Sequence, residues 1–146
     1  MATVDPKTLV RRFFEEVWNQ GKLDVLDEII ASNYDPHPLP NDPDVGRGPA
    51  GQRQFVNMYR SAFPDTHFSI EAQIVEGDLV ATRWTAHGTH TGDLMGMAPS
   101  GQHVTVTGMN INRVVNGKLS DGWGNFDQLG LLQQIGAIPK ARQAGT

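Results

Sequence analysis

Cysteine is absent from the 146-residue chain. That excludes a disulfide framework, a thiolate nucleophile and any cysteine-ligated metal. Basic clusters are absent too: none exceeds Arg11-Arg12, and the formal net charge is −4 with a pI near 5.6. A nucleic-acid partner is therefore not expected, because the electrostatic footprint for one is missing. No apolar run approaches the ~20 residues that span a bilayer, and the opening MATVDPKTLV lacks the apolar stretch of a signal peptide. A cytoplasmic setting is the expectation. Charged residues make up only 19% of the chain against 38% hydrophobic, the balance of a globular protein and not of a disordered one. No repeat, low-complexity tract or linker interrupts it, so residues 1–146 are expected to form one domain.

What is present is a change of period. Asp5 as N-cap and Pro6 at the first helical position open a helix with Leu9, Val10, Phe13, Phe14, Val17 and Trp18 on one face, stopped by Asn19-Gln20-Gly21. A shorter helix carries Leu23, Leu26, Ile29 and Ile30. Prolines and glycines make Tyr34 to Pro49 a loop, and Pro49 opens a third helix with Phe55, Met58, Tyr59, Ala62 and Phe63, ended by Pro64-Asp65. Strands follow: His67 to Glu76, Leu79 to His90, His103 to Val115 and Lys118 to Asn125. The last two are joined by Asn116-Gly117, a strong hairpin signal, and Thr91 to Gly101 is a loop. Asp127 caps a final helix that closes at Gly136. Helices first and antiparallel strands after give an α+β class, a curved sheet wrapped around helices as a cone with a cavity inside.

The last strand holds the most telling pair. Gly122 and Gly124 share one face, while Asp121, Trp123 and Asn125 share the other. Two glycines on one face of a strand mark a place where something approaches the backbone closely, or a space left open.

Four segments carry a resemblance that runs almost end to end: FFEEVWNQGKLDVLDEII, AFPD, GDLVATRWTAHGTHTGDLMGMAPSG and GKLSDGWGNFDQLGLLQQIGAIP. The chain resembles the SnoaL-like polyketide cyclases and predicted ester cyclases of the NTF2-like superfamily. The resemblance implies an α+β barrel with a deep apolar pocket, a homodimer formed by sheet-to-sheet contact, and no metal or organic cofactor. It implies a small hydrophobic carbonyl-bearing ligand and a cofactor-independent proton transfer, an intramolecular aldol closure or an isomerisation. The cyclases keep an acid/base aspartate three residues before the aspartate of the final helix, a place that falls here on Gly124. They keep a Gln and a His on the preceding strand, places that fall on Gly108 and Asn110. A second reading is therefore a non-catalytic small-molecule binder that has lost the acid/base, and a third is an interaction module using its sheet face.

Each remaining candidate has a structural and a chemical reading. Asp127 is a helix cap or, in an apolar cavity, a carboxylate base. Asp121 is a cross-strand partner for Arg113 or Arg83. His90, at a strand end, is a general acid/base at the pocket rim or a hydrogen-bonded structural histidine; His87 and His103 are expected to be solvated. His37, in a proline-stiffened loop, is a candidate ligand contact. No metal site is expected, since His37 and His90 have no third ligand at a convincing spacing. Trp18, Phe55, Met58 and Tyr59 are core residues or pocket lining, and the resemblance places Trp18 and Phe55 at the pocket. Asn110 and Asn112 share a strand face; an amide orients a carbonyl or enol but transfers no proton at neutral pH. Leu94, Met95 and Met97 are expected to form an adaptable lid or dimer contact.

Overall fold

A computed structural model describes residues 5–40 and 45–140, and Pro43 of the proline-rich loop lies outside the described residues. Helix α1 (Pro6–Arg12) begins as expected: the Asp5 carboxylate accepts from the Lys7 N–H at 3.1 Å. The rod then continues as a π-helical segment, Phe13–Trp18, whose wider ladder ends with the Asn19 N–H donating to the Phe14 carbonyl at 3.0 Å. All six predicted apolar positions of this rod are buried. Asn19 fixes it to the sheet by bonding both backbone groups of Phe68.

Helix α2 (Val25–Ile29) is shorter than its sequence pattern, because Ile30 turns extended and starts strand β1 (Ile30–Asp35). Sequence reasoning placed Ile30 in the helix and Tyr34-Asp35 in a loop, and the structure corrects both. Helix α3 (Gly48–Ala62) starts with Pro49 in its first turn. Its end is pinned to the sheet by Asp65, which accepts from both the backbone N–H and the hydroxyl of Thr89 at 2.7 and 2.8 Å. Strands β2 (His67–Glu76), β3 (Leu79–Thr89), β4 (His103–Val115) and β5 (Lys118–Phe126) form a meander. The β4–β5 turn has Asn116 and Gly117 at φ 52° and 76°, as an Asn-Gly hairpin requires.

The sheet order is β1-β5-β4-β3-β2, mixed because β1 runs parallel to β5. One face packs on the helices around Phe14, Val17, Trp18, Trp84, Val104 and Val106. The other carries exposed Met109 and Ile111. Helix α4 (Gln128–Gln134) follows directly from β5, with the Asp127 carboxylate accepting from the Gly130 N–H at 2.9 Å. Asp127→Ala is expected to lower stability by about 1 kcal/mol, read as a shifted denaturation midpoint with unchanged cooperativity.

Candidate active site

Between the helices and the concave face of the sheet lies an apolar cavity of about 170 Å³. Phe13, Phe14, Trp18, Phe55 and Tyr59 line its helical side, and Phe68, Trp84, Val106, Asn110, Gly122 and Gly124 its sheet side. The aromatic wall is held edge-on: Trp18 meets Phe55 at 6.1 Å and Phe55 meets Tyr59 at 5.2 Å, both near perpendicular.

The register explains the polar floor. Trp84 lies opposite Gly108, and Asn110 opposite Gly124. The indole of Trp84 covers Gly108 so closely that a Cβ there would overlap its six-membered ring. From that position its Nε1–H donates to Asn110 Oδ1 at 2.7 Å. An indole N–H only donates, so this bond fixes which end of the Asn110 amide is oxygen. The NH₂ end turns toward Gly124, lying 3.0 Å from where a Cβ would stand. The two glycines are thus not equivalent. Gly122 faces the hydroxyl of Tyr34, which takes up the space a side chain would need, while Gly124 bares backbone beside the Asn110 amide. Burial, with Asp121 and Asp35 nearby, pushes the Tyr34 hydroxyl well above the ordinary tyrosine range.

A second polar group stands at the cavity edge. Strand β1 ends opposite Asp121, and the Pro36-His37-Pro38 loop then crosses beside β5. His37 lines the cavity, stacks on Trp123 at 4.3 Å with planes 12° apart, and donates through Nε2 to Asp121 Oδ2 at 2.8 Å. Its backbone N–H donates to Asp35 Oδ1 at 3.0 Å. Asp35 in turn binds Arg47 at 2.8 Å, and Arg113 reaches Asp121 at 3.8 Å while lying over the Trp123 ring. Of the two arginines expected to pair with Asp121, Arg113 does so at 3.8 Å and Arg83 instead pairs with Glu71, while His37, not expected there, is the nearer partner. The hydrogen bonds from His37 and Ser120 and the charge of Arg113 outweigh burial and hold the Asp121 carboxyl below the usual range. A depressed carboxyl stabilises the fold above its unfolded pKa, near 3.9, and loses that contribution as pH falls through the folded value. The melting-temperature gap between the natural chain and Asp121→Asn is expected to shrink as pH falls below about pH 4.

Asp35, His37 and Asp121 offer ligand atoms within 4.8 Å of one another, the one such group among the described residues. Arg47 and Arg113 already neutralise the two carboxylates.

The structure brings Trp18, His37, Phe55, Tyr59, Asn110, Gly122 and Gly124 to one cavity, and Met58 is not among its lining residues. Nor are His90 and Asp127. The Asp127 carboxylate lies against Gly130 as the cap of α4. His90 is fully buried, stacked on Phe63 at 5.3 Å, with Nδ1 accepting from the Ser100 N–H at 3.1 Å. With its backbone paired to Gln102 and Gly101, it is the spool around which the 91–101 loop closes. Leu94 anchors that loop in the core and Met95 is exposed; neither they nor Met97 line the cavity. His87 and His103 stack at 5.9 Å, and His87 is also among the residues lining the cavity.

The SnoaL-like polyketide cyclase model matches residues 8–135. Aklanonic acid methyl ester cyclase DnrD of Streptomyces peucetius is 32% identical over 130 residues, 88% of each chain. Nogalonic acid methyl ester cyclase of Streptomyces nogalater is 30% identical over 122 residues, 82% of this chain and 89% of that one. Among solved structures, a putative polyketide cyclase of Acidithiobacillus ferrooxidans superposes with a TM-score of 0.81 at 31% identity, covering 92% of this chain and 97% of that one. With the cone of mixed sheet and helices and an apolar cavity at its centre, these matches decide the matter: the chain belongs to the SnoaL-like polyketide cyclase family.

Proposed function

We propose that the cavity binds a hydrophobic polyketide-type ester bearing a side-chain ketone and closes a ring within it by a cofactor-independent aldol-type proton transfer. The observation that carries this reading is the Asn110 amide, locked by Trp84 so that its NH₂ faces bare backbone in an apolar space. A donor fixed in a low-dielectric site stabilises the oxygen on which charge develops when a carbonyl enolises or is attacked. The aromatic walls suit a flat polycyclic body. The alternative, a binder without chemistry, rests on the missing carboxylate at Gly124 alone, and the curated relatives are cyclases.

In this reading the chain acts as a single cytoplasmic domain and as a homodimer, joined through the convex face that exposes Met109 and Ile111. The purified chain would be incubated with aklanonic and nogalonic acid methyl esters, the compounds in its relatives' names. The expected result is a product of unchanged mass and new retention time. Saturable quenching of tryptophan fluorescence without any product would favour the binder, and neither would sink both.

A further inference from the structure

We propose that His37 is the general base and acid of this site, with Asp121 as its positioning residue, in place of the carboxylate that Gly124 cannot supply. The inference rests on the reading of the cavity as a proton-transfer site.

Three observations converge on His37. It is one of the residues lining the cavity, where the loop after β1 passes the edge of β5. Its Nε2 faces Asp121 at 2.8 Å and Asp35 at 3.7 Å, two carboxylates that only accept hydrogen bonds, so the proton of the neutral ring sits on Nε2. That leaves the Nδ1 lone pair as the base. The ring is also fixed. Trp123 stacks flat on it, and its backbone is held at φ 42°, a left-handed conformation for a non-glycine residue that precedes a proline. Such strain persists only where the surroundings enforce it, and here the Asp35 contact to the His37 N–H does so. A histidine backed by an aspartate and aimed by stacking is the arrangement that proton transfer asks for.

The step balances without an added reagent. Nδ1 takes the proton from the carbon between two carbonyl groups of the ligand, and the C–H electron pair becomes the enolate. The enolate carbon forms a C–C bond to the ketone carbon, whose π pair moves to oxygen. That alkoxide takes the proton back from the imidazolium. The ligand is isomerised and His37 is returned neutral.

The charged and titratable groups around the ring are Asp35 and Tyr34 from β1, Asp121 from β5, Arg113 from β4 and Arg47 ahead of α3. The test uses the full chain and aklanonic acid methyl ester, following ring closure by chromatography and α-proton exchange in deuterated water by NMR. His37→Gln is expected to slow both by about 100-fold in kcat with KM changed little, and to remove the imidazole ionisation from the pH–rate profile. Asp121→Asn, which takes away an anion but keeps an acceptor, is expected to lower kcat for both with KM changed little. Ring closure by the natural chain with unaltered rate and pH profile in His37→Gln overturns the assignment to His37. Exchange that depends on His37 without ring closure keeps the dyad and rejects the cyclase reading. Should His37→Gln fail to fold, Asp121→Asn decides: an unaltered kcat overturns the proposal.

Discussion

Replacing Asn110 with leucine is expected to cut kcat by about 100- to 1000-fold while leaving KM within a few-fold, the pattern of a lost donor to a developing oxyanion. The expectation follows from the geometry of one bond. Trp84 Nε1–H can only donate, so Asn110 Oδ1 is committed to it and the amide NH₂ is what the cavity receives. Leucine keeps the volume and removes the donor, but it also strands the indole N–H, a cost of roughly 1–3 kcal/mol in stability. Asn110→Asp separates the two effects. One carboxylate oxygen still accepts from Trp84, while the other puts an acceptor, and charge, where the donor was. If the amide stabilises an enolate or alkoxide, the aspartate variant should fold as well as the natural chain and be at least as inactive as the leucine variant. A variant with aspartate that retained full kcat would remove Asn110 from the chemistry.

The sequence made much of this fold legible because its helices and strands are dictated by period. The apolar stripe from Leu9 to Trp18 is buried residue for residue, and the Asn116-Gly117 turn joins β4 to β5 where expected, although Gly124 meets Asn110 only because the pairing shifts by one residue between Val114–Leu119 and Arg113–Asp121. Strand β1 was not legible: IASNYD has no clear alternation, precedes a proline, and pairs with β5 only at Ile30 and Asp35. That omission hid the chemistry of His37, since its contact with Asp121 spans 84 residues of sequence and exists only because β1 lies parallel to β5. Asp121 therefore read as a cross-strand partner for arginine. Local signals were better guides to structure than to reactivity. Asp127 carries the signature of a cap and is one, and His90, at a strand end, holds a loop. Trp84 was not among the residues expected at the cavity, and its signal lay on the neighbouring strand, where Gly108 leaves room for an indole.

That pairing leads to the largest effect expected on stability. Trp84 is almost fully buried, with Phe68 at 4.8 Å and Phe14 at 6.5 Å around it. Trp84→Ala is expected to cost about 3–5 kcal/mol in denaturant unfolding, the range for removing a large buried aromatic side chain. Gly108→Ala is expected to cost about 1–3 kcal/mol in the natural chain, because its Cβ overlaps the indole and the ring must leave its seat. The two losses should not add. Once residue 84 is alanine, the overlap is gone and a Cβ at 108 enters the vacated space, so Gly108→Ala becomes close to neutral there. A double-mutant cycle should then give an interaction energy of about 1–3 kcal/mol. Additive losses would mean that Gly108 is held by its backbone and not by the tryptophan above it. The coupling also bears on the Gln and His that the resemblance implies at the places of Gly108 and Asn110. With an indole seated on residue 108, a glutamine cannot stand there, and residue 110 must be a side chain that accepts the indole N–H while still offering a donor to the cavity. An asparagine meets both demands at once, so the departures at 108 and 110 are one change in the floor of the site, set by Trp84.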